Sequence, residues 1–142
     1  MTFPTWPADL PQKLITDGYS YSFADGRLKT AMDAGPPKMR RRFSAAVKAV
    51  AGQFYGGVDD VVRLERFWNE ETAGGTLPFL IPDQNLDGIG LQTEAGVQIL
   101  DQSGQSLLNT GTWLVMFGDT PPSGQVVSGT IYKATLSLTI LP

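Results

Sequence analysis

The sequence predicts a mainly β fold, a β-sandwich of antiparallel strands with one packed α-helix, on three observations. Sixteen glycines and ten prolines punctuate the chain, charged residues make up only 18% of it, and one amphipathic helical stretch stands among several short alternating ones. That pattern suits many short strands joined by turns better than long charged helices. With 42% hydrophobic residues the 142-residue chain can bury one core, so residues 1–142 read as a single domain.

Residues 1–14 read as an extended Pro-rich arm. Phe3, Trp6 and Leu10 sit on a backbone that Pro4, Pro7 and Pro11 keep out of helices and central strands. Left in water these side chains would be costly, so they are interface candidates, docking either on their own domain or on a neighbour.

Gly18 to Phe23 and Arg27 to Met32 flank Ala24-Asp25-Gly26 and are expected to pair around that Asp-Gly turn. Gly35-Pro36-Pro37 then breaks the pattern. From Met39 to Val47 apolar and polar residues alternate with the period of a strand, except that Arg41 falls on the apolar side. A buried guanidinium needs a partner, most readily a carboxylate, so Arg41 is an interface candidate. An inter-subunit ion pair is preferred there over an intrachain pair or a strand-end position. For Lys38, Arg40 and Arg42 the plain reading is a solvated, edge-protecting face. A further strand is expected from Ala49 to Tyr55.

The helix runs from about Val58 to Thr72, with Val61, Leu64 and Trp68 on one stripe and Phe67 beside them. Asp59 and Asp60 suit its first turn, and Gly74-Gly75 can end it in a left-handed conformation. Beyond Pro82, residues 85–128 read as a turn-rich stretch without an internal repeat, carrying short strands at Gly96 to Leu100 and Thr112 to Phe117. The second has two apolar faces, so it is expected to be central or covered by a partner. Tyr132 to Ile140 alternates most cleanly and closes the chain as a strand.

Cysteine and histidine are both absent, which removes disulfides, thiolate metal sites and Ser-His-Asp or Cys-His catalysis. The remaining carboxylate clusters lie on the helix, where charge serves solubility and helix ends. The expectation is a protein that is no enzyme, with no catalytic residues and no cofactor. A net charge of −3 argues against a nucleic-acid partner. No run approaches the roughly 20 apolar residues of a membrane span, and residues 1–14 lack signal-peptide character, so no membrane partner and cytoplasmic synthesis are expected.

One metal motif stands out. Asp83, Asn85, Asp87, Gly88 and Glu94 fit the spacing of a calcium loop. An EF-hand also requires flanking helices, whereas Pro78, Pro82, Gly90 and Gly96 surround this segment, so the competing reading is a turn between strands.

The run Arg27-Leu28-Lys29-Thr30-Ala31-Met32-Asp33-Ala34-Gly35-Pro36-Pro37-Lys38-Met39-Arg40-Arg41-Arg42-Phe43 resembles a family of phage and prophage tail proteins. That family is related to minor tail protein M of lambda-like phages and, in fold, to distal tail proteins. The likeness extends to Phe3-Pro4, Gly18-Tyr19-Ser20, the helix with Leu64, Phe67 and Trp68, Gly74 to Phe79, and the terminal Leu141-Pro142. It covers about the first 84 residues and the last dozen; residues 85–128 depart from it. The resemblance implies a virion structural protein forming a homo-oligomeric ring, a hexamer, between the tail tube and the tail-tip hub. The rival readings are a tail-completion or head-proximal connector, and a carbohydrate-binding β-sandwich presenting Tyr19, Tyr21, Tyr55, Trp113 and Tyr132.

Overall fold

A computed structural model describes residues 2–142. Along the chain run β1 (Ser20–Tyr21), β2 (Arg27–Thr30), β3 (Lys38–Arg41), β4 (Lys48–Gly56), helix α1 (Val58–Arg66) continued by a π-helical turn (Phe67–Glu71), β5 (Phe79–Pro82), β6 (Thr112–Phe117), β7 (Ser123–Ser128) and β8 (Ile131–Ile140). The fold is mainly β, with two sheets and one short helix.

β8 organises the larger sheet because its alternation gives it one continuous apolar face. It pairs antiparallel with β4 over its length, from Lys48 opposite Ile140 to Gly56 opposite Tyr132. On its other edge β7 takes the first half and β6 the second. The strand order is β1-β4-β8-β6-β5, so β6 is paired on both edges. The register places Val50, Phe54, Leu136, Leu138, Val115, Phe117, Phe79 and Ile81 on one side, all buried.

This sheet is strongly curled. Tyr21 on β1 stacks on Trp113 of β6 with ring centroids 6.2 Å apart, although β4 and β8 lie between their strands. In a flat sheet three steps of about 4.8 Å would hold them well apart.

Two segments close over the concave apolar face. α1 begins where Asp60 accepts the Gly57 N–H at 3.1 Å, and it contributes Leu64. The π-helical turn adds Phe67, fully buried, while Trp68 is half-buried against Phe117. The turn ends at buried Thr72, whose hydroxyl donates to the Trp68 carbonyl at 2.8 Å, and the chain then reverses through Ala73, Gly74 and Gly75, all at positive φ.

The arm is the second cover. Trp6 is 2% exposed and its ring lies 6.2, 5.7 and 6.1 Å from those of Phe54, Phe67 and Phe79. Its backbone runs along β5, with Trp6 N donating to Leu80 O at 2.7 Å and Leu80 N to Pro4 O at 2.8 Å. Proline is tolerated there because the arm is an edge segment. Of the two dockings open to the arm's interface candidates, Trp6 and Leu10 take the one on their own domain: both belong to the chain's core.

Two local expectations are also corrected. β1 and β2 do not pair with each other; β1 joins β4, and β2 joins β3 through the Gly35-Pro36-Pro37 connection. The Asp25 carboxylate is engaged instead by the Arg27 side chain at 2.8 Å and its N–H at 3.1 Å, a local cap that leaves no tight hairpin at Asp-Gly. Of the strand expected over Met39 to Val47, only Met39 to Arg41 forms, as part of β3, and all four residues of β3 are exposed, Arg41 included. Of residues 85–128, the last part returns to the main sheet as β6 and β7.

Candidate functional site

Two structures project from the curled sheet, and neither has a core of its own. The first is the β2–β3 hairpin, in which Arg27 stands opposite Arg41, Leu28 opposite Arg40, Lys29 opposite Met39 and Thr30 opposite Lys38. Residues 27–43 hold six of the chain's eleven Lys and Arg and a single acid, Asp33, a net +5; the rest of the chain therefore carries −8 against the total of −3. Among the described residues the hairpin's ion pairing is confined to Arg27 with Asp25. Phe23, at 85% exposure, Met39 and Phe43 add apolar surface around the charges, and the Arg42 guanidinium lies 5.2 Å from the Phe43 ring centre.

The second projection spans residues 88–111 and contains the repeat that the sequence reading missed. Three eight-residue units begin after Gly88, Gly96 and Gly104, each at a φ between 80° and 83°. A common set of backbone bonds recurs from unit to unit. Ile99 N donates to Leu91 O at 2.9 Å, Leu107 N to Ile99 O at 3.0 Å, and Leu91 N to Leu107 O at 2.8 Å, which closes a ring of three. Around it Thr93 N donates to Val97 O, Asp101 N to Gln105 O, and Asn109 N to Ile89 O. The bridges Gln92 to Gln98, Leu100 to Ser106 and Leu108 to Gly90 complete a trefoil of three small leaves.

Two leaf turns are tied by equivalent side chains. Val97 N donates to the Thr93 hydroxyl at 3.2 Å and Gln105 N to the Asp101 carboxylate at 2.9 Å. Hydrogen bonds from the Ser103 hydroxyl and the Gln105 N–H hold the Asp101 carboxyl below its ordinary pKa. The glycine spacing was the signal available in the sequence, since a positive φ recurring every eight residues marks a recurring turn.

Leu91, Ile99 and Leu107, one from each leaf base, are exposed, as are Ile89 and Val97, the latter at 62%. Alternation along each extended segment puts these five on one face of the trefoil.

The four candidate calcium ligands are employed separately. Asp83 Oδ1 accepts the N–H groups of Asn85 and Leu86, Asn85 Oδ1 accepts the Tyr19 hydroxyl at 2.6 Å, and Asp87 Oδ1 accepts the Gly111 N–H at 3.1 Å. Burial, then the Asp83 charge, raises the Tyr19 pKa. Glu94 lies on the first leaf of the trefoil, and no cluster of three metal-ligating side chains occurs among the described residues. The segment is the turn that fastens trefoil to arm.

Phe3 is partly exposed and is the one arm candidate left at the surface. A groove of about 350 Å³ follows α1, lined by Leu64, Trp68, Pro121 and Pro122 among others. The aromatic set expected of a sugar-binding face is dispersed: Tyr21 and Trp113 are stacked together, Tyr19 is bonded to Asn85, and Tyr55 is exposed. No protein-family model matches the chain, and no curated protein matches it.

Proposed function

We propose that the protein is a structural subunit of a long-tailed phage, assembling as a homo-oligomeric ring, a hexamer, between tail tube and tail tip in the virion. It acts through subunit interfaces rather than through chemistry. The observation that carries this reading is the β2–β3 hairpin, in which Asp25 pairs Arg27 but Lys29, Lys38, Arg40, Arg41 and Arg42 have no ion-pair partner among the described residues. Unneutralised like charges crowded on one ladder are destabilising, and an isolated two-stranded hairpin is at best marginal in water. Such an element makes physical sense when acids outside the domain neutralise it, and it coincides with the stretch that resembles phage tail proteins.

The finer architecture within this reading is a sandwich. The curl that brings Tyr21 onto Trp113 supports it, because continued bending folds one sheet into two facing layers.

Light scattering and electron microscopy of the purified protein test the proposal. A closed ring with a central opening is the expected result, and a protein that stays monomeric at high concentration would contradict unaided assembly.

A further inference from the structure

We propose that the trefoil of one subunit, residues 88–111, is the docking site for the β2–β3 hairpin of the next. This inference rests on the ring reading and assigns that ring its contact. The two projections are complementary in charge. Residues 88–111 include Glu94 and Asp101 and no Lys or Arg, a net −2, whereas the hairpin carries +5. They match in apolar character as well. The exposed Leu91, Ile99 and Leu107 face can cover Phe23, Met39 and Phe43, which stand exposed beside the hairpin's cations.

Each element also needs what the other offers. The trefoil is held together by its closed ring of backbone hydrogen bonds, but its aliphatic face is wet. Two trefoils placed face to face would set acid against acid. A polyanion such as nucleic acid would suit the hairpin but would meet −8 on the rest of the subunit. A second copy resolves both conflicts. Because donor and acceptor are different surfaces, the contact is heterologous, and repeating it propagates the assembly until rotation closes a ring.

The test uses the full chain and two double variants at exposed positions, Arg40→Glu with Arg41→Glu, which reverses two charges, and Glu94→Lys with Val97→Lys, which reverses one and adds another. Circular dichroism establishes that each folds, and sedimentation at several concentrations and salt levels gives the self-dissociation constant. Each one-sided variant should raise that constant by roughly tenfold or more, as expected for charge reversal at a complementary interface. The variant carrying all four changes should regain association, and added salt should weaken the parent. If both one-sided variants keep the parent's constant, the docking is overturned and the ring reading stands. If the parent never associates, both fail. Binding of a duplex DNA probe by the parent, lost in Arg40→Glu with Arg41→Glu while the mass is unchanged, would assign the hairpin to a polyanion and overturn the docking.

Discussion

The Lys13 ammonium lies 2.6 Å from the carbonyl oxygen of Asp87, and the same nitrogen donates to the Asp83 carbonyl at 2.8 Å. A side-chain cation from the arm thus occupies the mouth of the loop whose spacing resembles a calcium site. Calorimetry with calcium chloride should show no tight binding. Lys13→Ala should destabilise the fold by about 0.5–1.5 kcal/mol in urea titrations, the range of ordinary hydrogen bonds. Tight calcium binding by the parent, abolished in Asp83→Ala, would refute the assignment of this loop as a structural turn.

Leu64 and Val62 lie two residues apart on α1, one buried and the other exposed. Leu64→Ala should cost about 2–5 kcal/mol, because the cavity opens beneath the helix where Phe67 and the sheet cannot collapse fully. Val62→Ala should stay within about 0.5 kcal/mol. Equal effects from the two substitutions would mean that the helix presents a different face to the sheet.

Trp6 fills the centre of the aromatic cluster with Phe54, Phe67 and Phe79. Trp6→Ala is expected to cost about 3–5 kcal/mol and to lower the thermal midpoint of the protein. Removing residues 2–11 should yield an unfolded chain rather than a folded monomer. A folded truncation with the parent's midpoint would return the arm to an inter-subunit role.

Arg27 holds the Asp25 carboxyl well below the usual carboxylate range, first by its side-chain hydrogen bonds and then by its N–H. A depressed pKa in the folded state means that the pair's contribution is present above the unfolded value of about 3.9 and disappears as pH falls through the folded one. Carboxyl resonances followed by NMR should therefore show Asp25 titrating below the ordinary aspartate value, and Arg27→Ala should return its midpoint towards that value. An ordinary midpoint in the parent would show that the pair does not persist in solution.

Local periodicity made the mainly β fold and its principal elements legible without coordinates. Alternation marked β8 and the two-faced β6, and a single apolar stripe with acids at its start marked α1, because these features follow from the geometry of a few consecutive residues. The turn at Gly74 and Gly75 was legible for the same reason.

What the tertiary structure alone decided concerns partners distant in the chain. Trp6 is equally apolar whether it packs on its own Phe54 or on a neighbour, and only the bond from its N–H to Leu80 O settles the matter. Alternation placed Arg41 on a buried face, but β3 ends at that residue and pairs only with β2, so there is no inside for the face to point towards. Calcium-like spacing from Asp83 to Glu94 said nothing of Lys13, seventy residues upstream of the first ligand. The trefoil escaped because its equivalent positions carry different side chains, Ile89, Val97 and Gln105 among them, and its symmetry resides in backbone hydrogen bonds. Periodicity reports which side of an element is apolar; only the closed chain determines what that side meets.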